Sequence, residues 1–177
     1  MRRMYSENQL VNVLENKDVV AKTLKQTQAN YSLDLSSFTP DNIPSGITYT
    51  LVYGRIEEIN GILYIVWLFS LENTTESSIT HANCGIDITL DEEIAEKIID
   101  ISGVSVAENT STKDISAFHG FKSDDSYPHN LNRYSYNCCL SNRSTANKFR
   151  INLYFNGQTI GAGKKQYCEM RTFLTIL

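Results

Sequence analysis

The sequence predicts a mainly β fold, an antiparallel β-sandwich of jelly-roll-like type with one short helix, preceded by an N-terminal α-helical segment. Three observations predict it. Two β-rich runs, residues 47–59 and 62–71, flank Asn60-Gly61, the dipeptide that best suits a type I′ hairpin turn. The last third of the chain alternates apolar and polar residues: Tyr134, Tyr136, Cys138 and Leu140, then Phe149, Ile151, Leu153 and Phe155, then Cys168, Met170, Thr172, Leu174 and Ile176. Asn156-Gly157 repeats the turn signal between the second and third of these runs.

The hairpin has a readable register. With Asn60 and Gly61 as the loop, Ile59 faces Ile62, Glu57 faces Tyr64, Arg55 faces Val66 and Tyr53 faces Leu68 on one side. The other side sets Ile56, Gly54 and Val52 against Leu63, Ile65, Trp67, Phe69 and Leu71. Gly54 lies opposite Trp67, where its missing side chain leaves room for the single indole of the chain. The second strand is apolar on both faces, so a second layer, the N-terminal segment or a partner chain must cover its back.

Residues 5–28 carry a helical pattern. Ser6 with Gln9 is a capping-box signature, and Leu10, Val13, Leu14, Val20, Ala21 and Leu24 form a narrow stripe that Lys17 interrupts. A helix this short and this rich in Asn, Gln and Lys needs something to dock on: its own domain, a parallel coiled coil or another protein. Ser, Asp and Asn around Pro40 and Pro44 mark a connector, which divides the chain into a helical attachment or oligomerisation segment (1–30), a linker (31–45) and a β domain (46–177). Residues 84–90 alternate as a strand. Asp91 then caps a helix with Ile94, Ala95, Ile98 and Ile99 on its apolar face, placed to plug one end of the β domain. The final strand ends on apolar residues without a polar tail, which predicts that it is stitched into a sheet rather than left as an edge.

Composition excludes several classes of function. With 16 basic and 20 acidic residues, a net charge of -4 and no basic cluster beyond Arg2-Arg3 and Lys164-Lys165, the chain lacks the footprint of a nucleic-acid binder. The N-terminus has no apolar run of the secretory kind, so synthesis in a cytoplasm is expected, and no stretch approaches the roughly 20 apolar residues of a membrane helix. Cys84, Cys138, Cys139 and Cys168 include no C-x-x-C pair, and His81, His119 and His129 lack ligand spacing, so buried free thiols are expected rather than a metal site, and no cofactor is implied.

Residues 117–132 read as a loop around Gly120 and Pro128. His119, Phe121, Tyr127 and His129 supply rings, and Asp124, Asp125 and Asn130 supply carboxylates and an amide, the mixture that a glycan-binding surface or a protein paratope uses. An ordered surface loop tucked down by its aromatic residues has the same composition. Tyr53, Tyr64, Val66, Leu68, Tyr154 and Phe173 occupy outward strand positions, more apolar surface than a monomer comfortably exposes, and this predicts self-association.

The layout as a whole, MYSENQLVNVL followed by a polar connector and a β domain that contains TLDEEIAEKI and ends on EMRTFLTIL, resembles small fibre or spike proteins of tailed bacteriophages. The resemblance implies a homotrimeric virion protein, made in the host cytoplasm. It would be anchored to capsid or tail, and to other virion proteins, through Tyr5, Leu10, Val13, Leu14, Val20 and Leu24. The β domain would face outward toward host-surface glycans or proteins. Lys17 and the shortness of the stripe depart from what a self-sufficient coiled-coil shaft needs. A non-enzymatic virion component is therefore expected, with a carbohydrate-binding β-sandwich module as the alternative. An enzyme is the remaining class: no nucleophile elbow, zinc-protease motif or phosphate loop is present, which leaves Asp124, Asp125, His119 and His129 as the groups that folding could bring together.

Overall fold

The computed structural model describes residues 31–175 other than 82, 109–110, 125–132 and 156; the side chains of 118–119, 121–124, 133–135 and 175 are likewise outside the description. The residues expected to form the N-terminal helix, including Tyr5, Leu10, Val13, Leu14, Val20 and Leu24, lie outside it. In chain order the elements are β1 (Tyr31–Asp34), a 3-10 turn (Leu35–Ser37), β2 (Ile47–Ile59), β3 (Ile62–Asn73), β4 (Ile79–Thr80), β5 (Cys84–Thr89) and α1 (Glu92–Ala95). They continue with β6 (Asp114–Asp124), β7 (Arg133–Asn142), β8 (Lys148–Tyr154), β9 (Thr159–Ile160) and β10 (Lys165–Thr175). Among the described residues every strand pairing is antiparallel, so this part of the chain is mainly β with one short helix, as the alternating runs predict. Eight strands form a continuous ladder in the order β1-β2-β3-β10-β6-β7-β8-β5, and β4 with β9 forms a separate ribbon.

The hairpin keeps the register that Asn60-Gly61 dictates: Ile59 pairs with Ile62, Glu57 with Tyr64, Arg55 with Val66, Tyr53 with Leu68 and Gly54 with Trp67. Both turn residues have positive φ, as a type I′ turn demands. The last strand is interior to the sheet, with β3 on one side and β6 on the other. Two details of the hairpin differ from the sequence reading. A bulge between Leu51 and Tyr53 skips Val52, which is 51% exposed instead of facing the core, because an extra residue in one strand loses its partner and is turned outward. The space over Gly54 is filled by Leu35 rather than by the indole: a Cβ on Gly54 would stand 2.9 Å from the Leu35 Cβ.

Leu35 is 1% exposed, so residues 31–37 belong to the folded domain: β1 pairs with β2, and the turn after it buries a leucine worth about 2 kcal/mol of transfer energy. The connector then reaches the far end of the ladder. Asp41 N–H donates to Gly85 O at 2.9 Å, and Gly85 N–H donates to Asp41 Oδ1 at 3.1 Å, which ties the segment following β1 to β5, the strand at the opposite edge. Residues from both halves of the ladder, among them Ile56, Trp67 and Met170 on one side and Ile86, Leu140 and Phe149 on the other, share a single core. The Trp67 ring lies 4.6 Å from that of Phe69, tilted by 34°, and donates its indole N–H to Tyr49 Oη at 3.1 Å, so the polar edge of the indole is satisfied at that core.

The helix is shorter than its pattern suggests. α1 spans one turn, and Asp91 stands at its N-cap without a side-chain hydrogen bond. Ile94, Ala95 and Ile98 are buried as expected, whereas Ile99 is 41% exposed and its backbone bridges to Ser105. Asn73, fully buried at the end of β3, donates to the carbonyls of Ser77, Ile160 and Gly161 and accepts from Thr75 N, holding the β4–β9 ribbon against the sheet.

Candidate functional site

Strand parity gives the sheet formed by β2, β3 and β10 an outer face that the core does not use. Across it, the pairings set Glu57, Tyr64 and Phe173 in one row, Arg55, Val66 and Arg171 in the next, and Tyr53, Leu68 and Glu169 in a third. Phe173 is 64% exposed, Tyr53 48% and Tyr64 39%, and the rings of Tyr64 and Phe173 lie 6.4 Å apart. Leu68, expected to be exposed with them, is buried. The charges of this face are satisfied locally: Arg55 Nε contacts Glu57 Oε1 at 2.7 Å, Arg55 also donates to Ser32 Oγ, and Arg171 pairs with Glu169. The exposed Arg55–Glu57 pair adds little stability, and Glu169 is buried beneath Arg171; together the two pairs cancel the charges of these rows. Beside it, the bulge opens a groove of about 250 Å³ lined by Asp34, Ser36, Val52, Tyr53 and Arg55.

The outer face of β5, β8 and β7 is built from different chemistry. Arg150 contacts Asp41 at 2.5 Å and Asp87 at 3.4 Å, and Arg143 contacts Asp87 at 3.1 Å. Arg150 Nε donates to Asn152 Oδ1 at 2.6 Å, and Asn152 Nδ2 donates to Ser141 Oγ at 2.8 Å and to Cys139 Sγ at 3.5 Å. Tyr154, counted among the exposed tyrosines by its strand position, meets Cys139 Sγ at 3.3 Å, and this contact, with burial, pushes its hydroxyl up to about 12. Burial lowers the affinity of Arg150 for its proton, but its hydrogen bond and charge pairing with Asp41, and then Asp87, hold it above the usual arginine value.

Burial likewise pushes the Cys84 and Cys138 thiols up to about 12, so both are neutral at physiological pH and neither is an activated nucleophile. All four cysteines are free and buried, in line with the reading of them as small core residues. Among the described residues no three His, Cys, Asp or Glu side chains are grouped to hold a metal ion, and no helix is long and apolar enough to cross a membrane. A cleft of about 320 Å³ at the N-terminal end of α1 is lined by Tyr31, Glu58, Asp91, Glu93, Ile94 and Lys97. Glu58 there accepts from Gly61 N–H at 2.8 Å and so braces the hairpin turn.

The residues expected to form a glycan-binding loop are divided. His119, Phe121 and Asp124 belong to β6, where their backbones pair with Asn137, Ser135 and Gln166 respectively, so residues 117–124 are strand and not loop. Asp125, Tyr127, His129 and Asn130 lie outside the described residues. The misleading residue is Gly120. It serves as a point of close approach inside a strand, where a Cβ would stand 2.4 Å from the Tyr136 ring, and not as a loop former. Sequence reasoning missed the bulge at Val52 and the reach of Asp41 to β5; no local signal marks either, since both depend on contacts with distant parts of the chain.

No protein-family model and no curated protein matches the chain. A solved structure of avian reovirus sigmaC, residues 117–326, is similar at 11% identity over 93% of this chain and 90% of that one, with a TM-score of 0.29. A likeness at that score carries no argument about function.

Proposed function

We propose that the chain is a non-enzymatic structural protein of a bacteriophage particle, a fibre, spike or adaptor that works as an oligomer, with a trimer favoured. Residues 1–30 attach it to other virion proteins, and the β domain faces outward to bind a host surface or another protein. The observation that supports this reading is the outer face of β2, β3 and β10. Exposed Tyr53, Tyr64 and Phe173 on a regular, rigid sheet are what an assembling domain presents and a solitary one avoids. The layout of the sequence supplies the virion context.

The fold suits such a role mechanically. The attachment segment runs directly into β1, so a pull on it loads four residue pairs with β2, the buried Leu35 and the Asp41 clasp on β5 before it reaches the rest of the core. Light scattering after size exclusion, on the full chain beside a chain beginning at Tyr31, tests the proposal. Tyr31 is the right starting point because β1, Leu35 and Asp41 are part of the fold. An oligomer for the full chain is expected, and its loss on truncation means that residues 1–30 are required for it. A monomer for both at high concentration overturns the proposal.

A further inference from the structure

We infer that the outer face of β2, β3 and β10, centred on Tyr64, Val66 and Phe173, is the surface through which copies of this chain meet, and that its occupant is a second copy. The inference rests on the oligomeric reading above and adds the contact surface to it. Three observations carry it.

The first is chemical. Tyr64 and Phe173 form an exposed ring pair, Val66 stands beside them in the next row, and Tyr53 and Val52 extend the apolar surface toward the bulge. Aromatic residues with some polar character at their tips are the anchors that association surfaces favour, because they bury large areas at small entropic cost.

The second is electrostatic. The chain is acidic, with a net charge of -4, so two copies repel at long range unless they meet where the charge is cancelled. On this face each arginine is neutralised by an acid on its own strand, Arg55 by Glu57 and Arg171 by Glu169. A strongly basic or acidic partner finds no net charge to grip there, whereas an identical neutral face meets no opposition. On the outer face of β5, β8 and β7, by contrast, the contact would have to desolvate Arg150, Arg143 and Asp87, which is costly unless every bond is re-formed.

The third is position. Residues 1–30 join the domain at Tyr31, which pairs with Glu58, one residue from the Ile59–Ile62 step of the hairpin and one row from Glu57, Tyr64 and Phe173. Three strands at the usual spacing put Phe173 about 15 Å from the junction. Gathering the N-terminal segments on a particle therefore gathers these faces, and an effective concentration on the order of millimolar lets a modest contact hold.

The test compares the full chain with a Tyr64→Glu/Phe173→Glu double variant and an Asn137→Glu control on the exposed surface of β7, by solution mass over a concentration series. Near-ultraviolet dichroism of Trp67 reports whether the core is intact. The expected result is an oligomer for the parent and the control and a fall to one-chain mass for the double variant. A double variant that keeps the parent mass overturns this face and leaves the oligomeric reading standing; a monomeric parent overturns that reading itself. Should the double variant fail to fold, Phe173→Cys gives a second readout, since the native cysteines are all buried. Maleimide labelling at position 173 should slow at least about tenfold in the oligomer relative to Asn137→Cys, the occlusion of a closed contact. Equal rates overturn the proposal.

Discussion

The two outer faces of the ladder, β2–β3–β10 on one side and β5–β8–β7 on the other, are made by the same strand alternation and end in opposite chemistry. On the first, the outward positions carry rings and aliphatic side chains, and its charges are paired within single strands. On the second, the outward positions carry a connected ribbon that runs from Asp87 and Asp41 through Arg150 and Asn152 to Ser141 and Cys139. Among the described residues, the polar groups of the second face find partners in the connector and in neighbouring strands, whereas the ring contact of the first is that of Tyr64 with Phe173.

Substitution costs most where the face of β5, β8 and β7 is tied to the connector. Gly85 has no room for a side chain: a Cβ would stand 2.4 Å from Ile151 O and 3.0 Å from the Arg150 guanidinium. Gly85→Ala should destabilise the domain by about 3 kcal/mol, read as a lowered denaturant midpoint, since the obstructing atom is backbone and cannot swing away. A smaller loss follows from removing the clasp. Asp41→Ala takes away the acceptor for Gly85 N–H and the closest partner of Arg150, and should cost about 1 to 2 kcal/mol, a figure held down by the exposure of Asp41. If Asp41→Ala were neutral, the Asp41 N–H bond to Gly85 O and core packing would suffice to join the two ends of the ladder.

The core also makes a prediction about pH. Cys84 and Cys138 are raised by burial from 9.0 to about 12, and Tyr154 is raised from 10.0 to about 12 by its bond to Cys139 and by burial. Raised folded values mean that the unfolded chain loses these protons first. Their contribution is complete below pH 9.0 and is lost as pH climbs toward about 12, so thermal stability should fall through that window. Cys84→Ala should flatten the fall. A profile identical to that of the parent would mean that the thiol is solvated in the native state. The least effect on folding is expected at the ring-bearing face, where Tyr64→Glu and Phe173→Glu should each change monomer stability by no more than about 0.5 kcal/mol, measured by denaturant melts at low concentration, because both side chains are exposed.

The parts of this fold legible in the sequence are those set by neighbours along the chain. Asn60-Gly61 fixes a two-residue turn, the turn fixes the register, and the register separates Trp67 and Phe69 from Tyr64 and Val66. The same logic places Cys168 and Met170 in the core. What was not legible depends on partners far away in sequence. Leu35 looks like part of a polar connector until Gly54 offers it a place, Gly120 looks like a loop residue until Tyr136 lies across it, and Val52 alternates inward until the bulge ejects it. The candidate surface was partly visible: Tyr53, Tyr64 and Phe173 follow from parity, while the local cancellation of Arg55 and Arg171 required the folded sheet.

Whether a further copy of the chain covers the ring-bearing face is decided by native mass spectrometry of the full chain at tens of micromolar beside the Tyr64→Glu/Phe173→Glu variant. A parent species at a multiple of the 20.0 kDa chain mass, threefold favoured, that the variant loses is the predicted result, while a parent found only at 20.0 kDa, or a variant that keeps the parent multiple, would contradict it.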